Sequence, residues 1–141
     1  MKKVRDKGMK GSDEDNKTSR ILLVDDETDS TSLFRTVLED LGFVVDVFND
    51  SPLALSNFKP GFYELLILDI RMPKMDGLEL CREIRKLDDK VKVCFLTASE
   101  IYNENLRTSL HELDQNARIR CFISKPVGLD DFVKRIKQEL D

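Results

Sequence analysis

The sequence predicts an α/β domain built on a parallel sheet with helices on both faces. Three observations carry that expectation. Apolar runs of strand length recur five times along the chain. Each is followed by a stretch with helical spacing or helical composition. The runs are continuous rather than alternating, which suits strands buried on both faces.

The elements follow in order. Ile21–Val24 (ILLV) is a short apolar run and reads as the first strand. Residues 29–41 place Leu33, Val37, Leu38 and Leu41 at helical spacing, and Gly42 closes that helix. Phe43–Phe48 (FVVDVF) is the second strand. Ser51-Pro52 gives a cap and first turn for a short helix through Phe58. Leu65–Asp69 (LLILD) is the third strand, and residues 77–87 form a helix with Leu80, Ile84 and Leu87 on one side. Val91–Thr97 (VKVCFLT) is the fourth strand, and the polar stretch 100–116 reads as a helix. Ile119–Ser124 (IRCFIS) is the fifth strand. The last helix, 129–140, carries Leu129, Phe132, Val133, Ile136 and Leu140 as an amphipathic stripe.

At 141 residues the chain is long enough for one domain with a real core. Residues 1–18 have almost no apolar side chains and are expected to be a flexible charged tail, leaving 19–141 as the folded domain. The net charge of −4 gives no support to direct nucleic-acid binding through a global basic field. No apolar stretch is long enough for membrane insertion, and the charged N-terminus lacks the apolar region of a secretory signal. Cys81, Cys94 and Cys121 are widely spaced and accompanied by a single histidine, His111. That pattern reads as three reduced thiols in a cytoplasmic protein rather than a zinc site or a disulfide framework.

The strand ends carry the chemistry. The first strand runs into Asp25-Asp26-Glu27, the third into Asp69, the fourth into Thr97-Ala98 and the fifth into Ser124-Lys125-Pro126. Parallel strands bring all of these to one rim, and ligands of open α/β sheets bind outside the carboxyl ends of the strands. Like charges about 4 Å apart repel by roughly 4 kcal/mol at an effective dielectric near 20. Asp25, Asp26 and Asp69 therefore need a cation, for which Lys125 and a hard divalent ion are candidates. With a phosphoryl group in the crevice, a carboxylate can act as nucleophile while Lys125 and the Thr97 hydroxyl bind its oxygens. The structural alternatives are a helix cap at Asp25-Asp26, a solvated loop lysine at Lys125 and a β-branched strand residue at Thr97. Asp76 reads as turn chemistry or a helix start, and Gly77 as a backbone requirement of the loop after Asp69.

ILLVDDE, LLILDIRMPKMDG, FLTAS and FISKP, in that order and each at a strand end, resemble the receiver domain of two-component response regulators. The resemblance covers about residues 20–140. It implies a flavodoxin-like, doubly wound five-stranded sheet of order 2-1-3-4-5. It implies that Asp69 is the phosphoacceptor, supplied by a phosphohistidine of a sensor histidine kinase. Asp26 and Asp69 would bind Mg²⁺, with Asp25 nearby and the Arg71 main-chain carbonyl as a further ligand. Thr97, Ala98 and Lys125 would hold the phosphoryl group, Thr97 and Phe122 would form the switch, and Lys125-Pro126 would be cis.

Three departures from the family pattern stand out. The stretch from Thr97 to Lys125 is longer than usual by about two helical turns. Phe122 replaces a frequent tyrosine. Arg71 and Ser99 occupy positions where side chains shield or admit the hydrolytic water, and are expected to tune phosphoryl lifetime. The expected function is a stand-alone receiver, a switch rather than an enzyme. When phosphorylated it would change the face formed by the fourth helix, the fifth strand and the last helix to contact a downstream protein target, with a homodimer possible. Alternatives are a phosphorelay intermediate and an interaction module that takes no phosphate. A metal-dependent phosphohydrolase is disfavoured, because Arg71 stands where such enzymes usually carry an acid.

Overall fold

The computed structural model describes residues 19–98, 105–106, 108–109, 112 and 119–140. The elements are β1 (Arg20–Val24), α1 (Thr28–Asp40), β2 (Val44–Phe48), α2 (Ser51–Asn57), β3 (Leu65–Asp69), α3 (Gly77–Arg85), β4 (Lys92–Ala98), β5 (Ile119–Lys125) and α4 (Leu129–Leu140). The five strands form one sheet of order β2-β1-β3-β4-β5, with every pairing parallel. This is the doubly wound α/β architecture expected from the sequence. The expected tail, 1–18, and Ser99 and His111 lie outside the described residues. In the expected helix 100–116, residues 105, 106, 108, 109 and 112 are helical.

Successive strand residues point to opposite faces, so each strand feeds two cores. Leu22, Val24, Leu66, Leu68, Val93 and Phe95 pack with Ala54 of α2 and Leu80, Cys81 and Ile84 of α3. Ile21, Leu23, Leu65, Ile67, Cys94 and Leu96 pack with Phe34 and Leu38 of α1 and with Phe132 and Ile136 of α4. The Phe34 and Phe132 rings stack at 4.1 Å and join α1 to α4. Each fully buried aliphatic side chain stabilises the fold by about 1.5–3 kcal/mol relative to leaving it in water. The sheet is thereby a rigid platform for the residues at its rim.

Several sequence expectations are corrected. On α1 the buried stripe is Thr31, Phe34 and Leu38, whereas Leu33 is 50% exposed and Leu41 also faces solvent. Leu38 is buried as expected; the stripe turns toward Phe34 rather than Leu33, because the Phe34 ring stacks on Phe132. Leu87 follows the end of α3 and is exposed. β2 lies at the sheet edge, where only Val45 is buried, so it is not covered on both faces. Asp50, not Ser51, caps α2, accepting the Leu53 N–H at 2.9 Å. The expectation of three reduced thiols also fails. Cys81 is free and buried, but Cys94 is disulfide-bonded. The parallel β4–β5 register sets Cys94 opposite Cys121, a proximity that linear spacing does not reveal. Burial pushes the Cys81 thiol up to about 11.

Candidate functional site

Asp25, Asp69, Thr97 and Lys125 stand at or just beyond the carboxyl ends of β1, β3, β4 and β5. One oxygen each from Asp25, Asp26 and Asp69 lie within 4.8 Å of one another, with Asp25 and Asp69 buried and Asp26 exposed. Thr97 is buried, and the β4–β5 register places Ala98 opposite Lys125.

Lys125 is the cation of the cluster. Its Nζ donates to Asp25 Oδ2 at 2.9 Å and to Glu27 Oε1 at 3.0 Å, and lies 3.6 Å from Asp69 Oδ1. Burial alone would lower the ammonium pKa, but the hydrogen bonds to Asp25 and Glu27 and the Asp25 and Asp69 charges raise it overall, so Lys125 stays charged. Asp69 is less well satisfied. Burial, then the Asp25 charge, push its carboxyl up to about 7 against the partial relief of Lys125. Among the described residues, the Lys125 ammonium pairs with three carboxylates, Asp25, Glu27 and Asp69, and Asp26 adds a further negative charge beside Asp25 and Asp69.

This donor set fits a hard divalent cation. Mg²⁺ takes one or two carboxylates with waters and phosphate oxygens, and such an ion would offset the burial and the Asp25 charge that work against the Asp69 carboxylate. The helix-cap reading of Asp25 and Asp26 does not hold, since Glu27 occupies the cap of α1 and Asp25 Oδ1 accepts the Glu27 main-chain N–H at 3.0 Å. Asn49 secures the Asp25 main chain, its Nδ2 donating to the Asp25 carbonyl oxygen at 2.7 Å.

The loop from Ile70 to Asp76 borders the other side of the site. A groove of ≈ 500 Å³ there is lined by Asp26, Ile70, Arg71, Met72, Pro73 and Asp76. Arg71 is exposed on this groove. Gly77 N donates to the Ile70 carbonyl at 2.8 Å. A Cβ at Gly77 would press into the Asp69 carbonyl oxygen and come within 2.9 Å of Ile70 Cα, so glycine is required by close approach rather than by a positive φ. Asp76 caps α3 in a reciprocal capping box with Glu79. Lys74 adopts φ 71°, a left-handed conformation that costs a non-glycine residue about 1–2 kcal/mol. Its ammonium pairs with Asp50 at 2.9 Å, and the Ser51 hydroxyl donates to the Met75 carbonyl at 2.5 Å. These contacts tie the loop to α2.

Phe122 is 37% exposed on β5 and stacks on Phe95 at 5.9 Å. The Lys125-Pro126 bond is cis, as the resemblance implied. Three contacts around the site were missed in the sequence. The hold of Glu27 on Lys125 had a visible signal in the Asp-Asp-Glu run. The Asp50–Lys74 and Ser51–Met75 contacts had none, because they join segments with no shared periodicity.

Fold and site together define a doubly wound α/β protein with an acidic, lysine-braced centre at the carboxyl rim of its sheet. The family model for the response regulator receiver domain matches residues 21–137, and the chain belongs to that family, whose members are signalling switches. Similar curated proteins include the transcriptional regulatory protein TrcR of Mycobacterium tuberculosis, 32% identical over 87% of this chain and 46% of that protein. The response regulator MprA of Mycobacterium leprae is 33% identical over 84% of this chain and 49% of that protein. The chain thus spans about half the length of these relatives. Among solved structures, the non-phosphorylated HemR receiver domain of Leptospira biflexa matches with a TM-score of 0.77 at 29% identity, covering 88% of this chain and 95% of that one. The response regulator TrrA of Thermotoga maritima, in complex with Mg²⁺-BeF, matches with a TM-score of 0.70 at 32% identity, covering 86% of this chain and 99% of that one. No helix among the described residues is long and apolar enough to cross a membrane.

Proposed function

We propose that this chain is a phospho-acceptor switch whose receiver domain occupies residues 19–141, with Asp69 taking a phosphoryl group from a phosphohistidine of a sensor histidine kinase. The observation that carries this reading is the placement of Asp69: buried, at the end of β3, 3.6 Å from the Lys125 ammonium and clustered with Asp25 and Asp26. An Asp69 oxygen forms the new bond to phosphorus as the nitrogen–phosphorus bond breaks, and the electron pair of that bond stays on the imidazole. Lys125 neutralises charge on the transferred group, and the Thr97 hydroxyl and the main chain at Ala98 bind its oxygens. Mg²⁺, held by Asp26 and Asp69 with Asp25 nearby and the Arg71 carbonyl, would supply the remaining positive charge.

The output is a population shift of the face made by the 100–116 segment, β5 and α4, with Thr97 and Phe122 as the moving pair. Its partners are a sensor histidine kinase and a downstream protein target, and a homodimer is one form the output can take. Arg71 and Ser99 tune the phosphoryl lifetime. Incubation with acetyl phosphate and Mg²⁺, followed by intact mass, tests the reading. One added phosphoryl group on the wild type and none on Asp69→Asn is the expected result. A wild type left unmodified by every donor overturns it.

A further inference from the structure

Lys125 is shared unequally among its acids. It hydrogen-bonds Asp25 and Glu27 at 2.9 and 3.0 Å, while Asp69 at 3.6 Å lies outside hydrogen-bond range. Glu27 reaches the cluster twice, through its carboxylate on Lys125 and through its main-chain N–H on Asp25 Oδ1. It also occupies the cap position of α1, where a side-chain oxygen usually accepts an open helix N–H. Its carboxylate makes no such bond and turns to Lys125 instead.

The two holders of Lys125 differ in kind. The Asp25 side chain is fully buried, whereas that of Glu27 is 62% exposed. An ion pair with one partner largely in water is weak and readily exchanged. A pair with a buried carboxylate is not, because separating it leaves an uncompensated charge. Glu27 and Lys125 also line one groove of ≈ 460 Å³, with Ser30, Leu33 and Pro126, so the releasable contact faces open space.

We propose that Glu27 is a positioning residue that holds Lys125 back from Asp69 until a phosphoryl group arrives, so that exchange of the Lys125–Glu27 ion pair for a Lys125–phosphoryl contact is part of the acceptance step. This rests on the phospho-acceptor reading above. With acetyl phosphate as donor, the Asp69 oxygen–phosphorus bond forms as the acyl oxygen–phosphorus bond breaks, and acetate leaves with the electron pair. Lys125 changes partner and keeps all its protons. Glu27 thereby slows acceptance while Asp25 keeps the ammonium in place.

The test uses the full chain labelled with ¹⁵N-lysine, with the Lys125 Nζ signal assigned by its loss in Lys125→Gln. Without donor, Glu27→Gln should move that signal. With Mg²⁺ and acetyl phosphate, it should speed phosphorylation about fivefold, the scale of one weak ion pair. In the Lys125→Gln background the same substitution should change the rate by less than about twofold. An unchanged rate overturns the proposal whether or not the signal moves. Equal acceleration in both backgrounds also overturns it, by assigning the effect to the removed charge alone. A wild type that takes no phosphoryl group, while the Glu27→Gln signal still moves, breaks the phospho-acceptor reading and leaves the Lys125–Glu27 contact standing.

Discussion

The two ends of the sheet treat aspartate in opposite ways. Where β4 begins, Asp88 accepts the main-chain N–H groups of Gly61, Lys90 and Val91 at 2.8, 3.0 and 3.2 Å. Burial works against its charge, yet those three donors and the Arg85 charge hold its carboxyl below the usual value. Where β3 ends, Asp69 meets burial and the Asp25 charge, and its carboxyl is pushed up to about 7. One aspartate is completed by its own fold. The other is left short of positive charge. Stability is built at the first end; at the second, burial and like charge on Asp69 are left for the proposed cation and phosphoryl group to meet.

The largest effect that can break this contrast is a gain. With metal chelated, Asp69→Asn should stabilise the protein at pH 8 by on the order of 2–4 kcal/mol. The sign follows from the raised carboxyl. Below about pH 4 both folded and unfolded chains hold the proton, and the substitution is neutral in charge. Between about 4 and 7 only the folded chain holds it, so wild-type stability falls as pH rises through the folded value of about 7. Chemical denaturation at several pH values checks this; a substitution that destabilises equally at all of them would contradict it.

At the opposite end the same kind of change should be a loss. Asp88→Ala leaves three main-chain donors without their acceptor, and should cost about 1–3 kcal/mol at pH 7. Because the Asp88 carboxyl is lowered, that cost is present above the usual carboxylate range and fades as the wild type protonates in acid. Urea midpoints at pH 7 and pH 3 measure the difference. A smaller loss should follow from Tyr63→Phe. The Tyr63 hydroxyl donates to Asp46 Oδ2 at 2.6 Å, with burial and that bond raising its pKa. Removing it should cost about 0.5–1.5 kcal/mol by thermal melting and leave phosphorylation unchanged.

The two ends also differ in how much the sequence reveals. The carboxyl rim was legible because a rule of topology gathers strand ends, so Asp25, Asp26, Asp69, Thr97 and Lys125 could be brought together from the ends of four of the five apolar runs. The role of Asp88 was not legible, since it depends on a loop conformation that aims three N–H groups at one carboxylate. α1 shows a third case. Of the expected stripe Leu33, Val37, Leu38 and Leu41, only Leu38 is fully buried, and Phe34, outside that stripe, joins it in the core by stacking on Phe132. Similarly, that Cys94 is disulfide-bonded does not follow from the spacing of cysteines along the chain.

The most direct test of the central claim is thermal melting at pH 8 with and without millimolar Mg²⁺, on the wild type and on Asp69→Asn. A cation that completes the Asp25–Asp26–Asp69 cluster should raise the wild-type midpoint by several degrees, and a weaker rise in Asp69→Asn should accompany the lost carboxylate. A wild-type midpoint indifferent to Mg²⁺ would contradict the account, because the repulsion at the rim would then be relieved by something other than a metal.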